Sequence, residues 1–134
     1  IAPVEDCYSP DLVPSSEELR REHRLLSMCL KDSGVDLILI ETMNALREAV
    51  IATQAALETG LPVFVSFAIG NNGRLLSGER LEEAIKTLGK LKITALLINC
   101  FSPSISLKPL KTLMEKRAAK RAKKENKGFS LNVK

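Results

Sequence analysis

The chain has 134 residues, 45% of them hydrophobic and 27% charged, which is ordinary for a soluble globular protein and enough for one domain with a real core. No apolar run approaches the ~20 residues that a membrane span needs. The net charge of +4 is unevenly placed: residues 108–134 hold ten Lys or Arg against Glu115 and Glu125, whereas residues 1–107 carry ten basic and fourteen acidic groups and sum to −4. The basic character therefore belongs to the C-terminal segment and not to the fold.

The opening Ile-Ala-Pro-Val-Glu-Asp has neither a basic n-region nor an apolar h-region, so no signal peptide is expected. The missing initial Met fits a processed chain or a fragment. Cys7, Cys29 and Cys100 are odd in number, widely spaced and without a CxxC pattern. That argues against a disulfide framework and for a reducing, cytoplasmic setting.

Ser15-Ser16-Glu17-Glu18 matches a capping box. Leu19, His23, Leu26 and Leu30 follow at helical spacing, so a helix is expected over about residues 16–32, with Gly34 at its C-terminal end. Residues 35–40 read as a buried strand ending in Glu41-Thr42. Asn44 is expected to cap a second helix whose stripe is Leu46, Val50, Thr53 and Leu57, beside a small-residue row of Ala45, Ala49, Ala52 and Ala56. Gly60 stops it, and residues 62–67 form a second strand, with Pro62 tolerated at its start.

Gly70-Asn71-Asn72-Gly73 signals a turn that opens a loop to Ser77-Gly78. Leu81, Ala84, Ile85 and Leu88 mark a third helix, and Ile93 to Ile98 a third strand. After Phe101-Ser102-Pro103 a fourth helix is expected from about Ser106 through the basic segment, with residues 128–134 loose. Strands alternating with helices across short loops predict an α/β fold of parallel βα repeats. Three strands, with part of a fourth at Ile1-Ala2, are too few for a barrel of eight strands and about 250 residues. The chain is thus a small open sheet or part of a larger barrel.

In parallel βα folds the C-terminal strand ends share one rim, where sites are built. That rim carries Glu41, Ser66, Asn99, Cys100 and the Asn71–Gly78 loop. Leu96-Leu97-Ile98 reads as a fully buried strand that ends in Asn99-Cys100. Cys100 is either a soft-metal ligand or nucleophile, or a small buried hydrophobe. Glu41 either receives a substrate ammonium group or acts as a base, or it only complements the next helix dipole. Asn99 either orients a ligand or satisfies loop backbone.

His23 lies in the first helix stripe and has no partner at metal-ligand spacing. Gly70-Asn71-Asn72-Gly73 lacks the Lys-Ser/Thr of a P-loop. The basic segment has no interleaved aromatics, which favours a solvated face over a nucleic-acid surface.

Asp6-Cys7-Tyr8-Ser9-Pro10-Asp11-Leu12, Glu22-His23, Gly34-Val35-Asp36-Leu37-Ile38-Leu39, Glu41-Thr42-Met43, Gly60-Leu61-Pro62-Val63, Val65-Ser66-Phe67, Gly73-Arg74-Leu75-Leu76-Ser77-Gly78-Glu79 and Ile98-Asn99-Cys100 occur in one order. Together they resemble the middle of a homocysteine S-methyltransferase domain, over residues 1 to about 110. The resemblance implies a (β/α)8 TIM-type barrel, of which this chain supplies about strands three to six.

It also implies a zinc ion held by three cysteines. One stands at the end of the sixth strand and matches Cys100, while the other two form an adjacent pair in a Gly-Gly-Cys-Cys stretch that this sequence lacks. Cys7 and Cys29 match no ligand position. Glu41 matches the acidic residue that binds the homocysteine amino group. The implied partners are homocysteine and a methyl donor, and the implied chemistry is methyl transfer to a zinc-activated thiol, giving methionine.

A single thiolate does not make a tetrahedral zinc site, and an unclosed barrel leaves strand edges open. The expected organisation is a partial barrel segment over residues 1–107 and a basic helix with a loose tail over 108–134. The alternative reading is a catalytically inactive half-barrel that binds a partner or forms a homo-oligomer through its open edge. A third reading, a nucleic-acid module using the basic tail, predicts binding that falls steeply with salt.

Overall fold

Ser15 starts the first helix as the capping box requires. In a computed structural model that describes residues 1–100, its Oγ accepts the Glu18 backbone N–H at 3.2 Å. Helix α1 runs Ser16–Asp32. Gly34, at φ +77°, takes the left-handed turn that ends it, and its N–H donates to the Lys31 carbonyl at 3.0 Å. Then follow β1 (Ile38–Met43), α2 (Leu46–Leu57), β2 (Val63–Ala68), α3 (Leu81–Leu88) and β3 (Ala95–Asn99). The three strands are parallel in the order β1-β2-β3. This is the alternating α/β pattern expected, and it is compatible with part of a TIM barrel.

Ile1 extends the sheet on the β1 side. Its amino group donates to the Leu39 carbonyl at 2.6 Å, and the Glu41 N–H donates to its carbonyl at 2.8 Å. Those two bonds bracket Ile40 as a parallel neighbour would. Burial lowers the pKa of this amino group, against the opposing charge of Glu41.

The core lies between the sheet and α2. Ile38, Ile40, Met43, Val63, Val65 and Phe67 fill the strands, and Ala49, Ala52 and Ala56 let α2 approach closely. The small-residue row is therefore the buried face of α2, while Leu46, Val50 and Leu57 of the expected stripe are only half-buried. The seam of α1 also departs from expectation. Leu19, His23 and Ser27 are buried, but Leu26 is 42% exposed. Helix α1 packs on α2, so only the narrow i, i+4, i+8 row at that contact is covered.

Beneath this seam lies a buried ionisable pair. His23 Nε2 donates to Glu48 Oε1 at 3.0 Å, and the Val4 N–H donates to the same oxygen at 2.8 Å. Both side chains are at most 1% exposed. His23 is thus a packed core histidine that ties α1, α2 and the N-terminal segment together.

Strand β3 differs from the fully buried strand expected. None of its residues is buried, and Leu97 is 40% exposed. Among the described residues β3 has one strand neighbour, β2, so half of its ladder and part of its surface lack cover. The expected fourth helix, the loose tail and the 107/108 boundary lie outside the described residues.

Candidate functional site

The register sets the rim. Asn99 lies level with Ala68, and Met43 with Phe67, so all three strands end at one height. Between Ile40 and Met43 the β1–β2 register shifts: β1 spends three steps where β2 spends two. That extra residue is a bulge, a device that re-aims side chains at strand ends. It falls on Glu41 and Thr42, whose peptide bond is cis.

Thr42 is where the strand ends meet. Asn99 Nδ2 donates to Thr42 Oγ1 at 2.8 Å, joining β3 to β1 across the top of β2. Thr42 Oγ1 also lies 3.9 Å from Cys100 Sγ. The carbonyl oxygen of the Asn99 side chain is buried and, among the described residues, has no hydrogen-bond partner. Cys100 is exposed, which overturns its reading as a small buried hydrophobe. Its φ of +51° is left-handed, a conformation that non-glycine residues seldom take and that gathers at functional sites.

Tyr8 approaches the same sulfur from the N-terminal segment. Its hydrogen bond to Cys100 raises the phenol pKa, helped by the neighbouring Cys100, Cys7 and Asp6 charges. A tight turn places it. Asp6 Oδ1 accepts the Tyr8 N–H at 3.0 Å, and Asp6 Oδ2 accepts the Ser9 hydroxyl at 2.7 Å. Those bonds, led by the backbone one, hold the Asp6 carboxyl below its ordinary pKa. Asn44 Nδ2 donates to the Asp6 carbonyl at 3.2 Å and pins the turn beside the start of α2.

Asn44 is therefore not the cap of α2. The N-cap is Ala45, which has no side-chain capping bond. The Leu46 N–H instead donates to Glu79 Oε1 at 3.3 Å, and Glu79 also accepts the Ser77 hydroxyl. Ser77 N–H donates to the Asn44 carbonyl at 3.1 Å, and the one hydroxyl proton of Ser77 is shared between that carbonyl, 2.7 Å away, and Glu79. Ser77 and Glu79 thus cap α2 from the loop that the sequence places on the rim.

Of the expected site residues, Asn99 and Cys100 come together around Thr42. Glu41 stands next to Thr42 in the chain, exposed, with its charge felt by the Ile1 amino group. The hydrogen bonds around Thr42 do not include it. Ser66 is buried within β2, level with Leu97, and lies below the rim. Sequence reasoning missed Thr42 and Tyr8. A hydroxyl directly after Glu41, and the single Tyr of the chain, were the available signals.

The donor set does not make a zinc site. Among the described residues no three His, Cys, Asp or Glu side chains gather as a metal would require. Cys29 is exposed on α1, and the sequence holds no Cys or His after Cys100. Among the described residues no helix is long and apolar enough to cross a membrane.

A family model described as homocysteine S-methyltransferase matches residues 1–132. No individual curated protein matches. The match runs beyond the resemblance read over residues 1 to about 110 and takes in the basic segment. With nearly its whole length matched, the chain belongs to the homocysteine S-methyltransferase family.

Proposed function

We propose that the chain carries the amino-acid-binding part of a homocysteine S-methyltransferase site, working in the cytoplasm. The observation that carries this is the 2.8 Å bond from Asn99 to Thr42, which gathers the ends of β1 and β3. Three chemically distinct groups then share one end of the sheet. The Glu41 carboxylate suits the ammonium of an amino acid. The free Asn99 carbonyl oxygen suits an N–H donor. The Cys100 thiol marks the sulfur end.

The reaction class is displacement at a methyl carbon. A new carbon–sulfur bond forms on homocysteine, giving methionine, as the bond from that carbon to the donor's leaving group breaks. The thiolate is the nucleophile, so the thiol proton must leave first. Glu41 and Asn99 select and orient the amino-acid end, which holds the sulfur toward the donor. Zinc, in the family's manner, needs two more thiolates than Cys100 provides, and no step is assigned to it here.

Calorimetric titration of the reduced chain with homocysteine tests the reading. Saturable binding is expected, weakened about tenfold by Glu41→Gln, since the charge-assisted bond to the ammonium is lost. An unaltered chain that takes up no homocysteine would overturn it.

A second reading is favoured by the half-exposed β3 and by Leu25, Leu26 and Met28, which stand exposed along α1. There the chain is a catalytically inactive binding or self-association module. Mass in solution separates the two: a stable dimer that Leu97→Asp dissociates supports the module.

A further inference from the structure

We infer that Thr42 is a positioning residue that orders the Cys100 sulfur and the Asn99 amide as one unit. A threonine hydroxyl has one proton to donate and lone pairs to accept. Its oxygen already accepts the Asn99 Nδ2–H at 2.8 Å. Among the described residues the other neighbour within reach of this hydroxyl is Cys100 Sγ at 3.9 Å, a pair in which either the hydroxyl or the thiol can donate. Asn99 Nδ2, Thr42 Oγ1 and Cys100 Sγ thus form one chain of contacts centred on Thr42.

The bond to Thr42 commits Asn99 Nδ2. Oδ1 is then left as an acceptor that is buried without a partner among the described residues. A buried, unpaired carbonyl oxygen is costly and is kept where a ligand or water satisfies it. Thr42 therefore presents an acceptor and a sulfur together, at a separation set by one hydroxyl. A ligand that fits carries an N–H donor for that oxygen. The link to homocysteine rests on the function proposed above, whereas the ordering of the two side chains does not.

Three features make Thr42 able to do this. The bulge in β1 turns it out of the regular register. Its Cβ branching restricts the side chain to few rotamers, so the hydroxyl direction is held. Tyr8 stands near the same sulfur.

The test compares Thr42→Val, Thr42→Ser and Asn99→Ala in the reduced 134-residue chain. Two signals are read by nuclear magnetic resonance: hydrogen exchange of the Asn99 side-chain amide, and the Hα–Hβ couplings of Cys100. In the unaltered chain the amide is expected to be protected and Cys100 to occupy one rotamer. Thr42→Val, equal in shape but without the hydroxyl, should speed Asn99 exchange about five- to tenfold, the factor of one ordinary hydrogen bond. It should also average the Cys100 couplings.

Thr42→Ser, which keeps the hydroxyl and loses the branching, should restore most of both signals, which a purely structural role would not require. Asn99→Ala leaves β1 intact and should release Cys100 in the same way, so the prediction survives if Thr42→Val does not fold. Unchanged exchange and couplings in folded Thr42→Val, or a Cys100 that stays fixed in Asn99→Ala, would overturn the assignment. Homocysteine binding is measured separately on the same proteins. Loss of order in Thr42→Val with no homocysteine binding by the unaltered chain upholds the positioning role and removes the functional reading. Retained order with homocysteine bound does the reverse.

Discussion

Strands β1 and β3 end at the same rim, yet they are held in different ways. Strand β1 is fixed from below by Ile38, Ile40 and Met43, all fully buried, and by α2 lying over it. Strand β3 is half-exposed along its length and contributes no fully buried side chain. The residues with site chemistry, Asn99 and Cys100, sit on the weakly held strand. Beyond the ladder to β2, their placement draws on ties to the well-held side: the Thr42 bond, and Tyr8 near Cys100 on a turn that Asn44 anchors. The lesson is a division of labour, in which packing around β1 and β2 supplies rigidity and a few polar contacts export it to β3.

If that division is real, equal truncations should have very unequal effects. Phe67 is completely buried on β2, so Phe67→Ala should cost about 3–5 kcal/mol in urea unfolding, through lost transfer energy and the cavity left behind. Leu97→Ala, on a strand residue that is 40% exposed, should cost less than about 1 kcal/mol. Comparable losses at the two positions would break the contrast.

The buried pair under α1 gives the next largest effect. Glu48→Ala leaves His23 Nε2 and the Val4 N–H without their shared acceptor in a site closed to water. A loss of about 3 kcal/mol is expected, measured by the urea midpoint at constant slope. Because Val4 is released, the Asp6–Ser9 turn should also loosen, read as faster amide exchange at Tyr8. A stable Glu48→Ala with unchanged exchange would show that the N-terminal segment is held by other means.

Gly34 sharpens the comparison from the side of the backbone. At φ +77° an alanine carries a steric cost even though nothing lies within 4 Å of the added Cβ. Gly34→Ala should therefore lower stability by about 1–2 kcal/mol without moving the packing of α1 on α2. A larger change would mean that the α1–β1 connection is coupled to the core.

The elements were legible because each carries its own period and its own punctuation. Ser15 opened α1 and Gly34 closed it, and the apolar runs gave all three strands to within a few residues. What escaped was set by tertiary context. Residue spacing made Leu26 equivalent to Leu19, but only the row facing α2 is covered. Leu96-Leu97-Ile98 has the composition of a buried strand, and burial depends on neighbours that a local pattern does not contain. At the site, Cys100 and Asn99 were visible as chemistry after an apolar run. Thr42 was not, because its role comes from a one-residue bulge and a bond spanning 57 positions. Asn44 looked like a cap by local sequence, yet Glu79, arriving from the next loop, satisfies that helix end.

The smallest effect concerns the turn that carries Tyr8, and it is a pH effect of known sign. Asp6 accepts the Tyr8 N–H and the Ser9 hydroxyl as a carboxylate, so its folded-state pKa lies below its ordinary value. A depressed acid stabilises the fold above the unfolded pKa of about 4 and loses that contribution as pH falls through the lower folded value. Over that acidic window the Tyr8 amide resonance should move with the Asp6 carboxyl, and Asp6→Asn should abolish the movement. Asp6 is fully exposed, so global stability should change little while the turn responds. If the Tyr8 ring then leaves Cys100 as the carboxyl is protonated, the turn is what holds it there. A Tyr8 that stays in place with Asp6 protonated would assign the whole hold to Asn44 and the Cys100 sulfur.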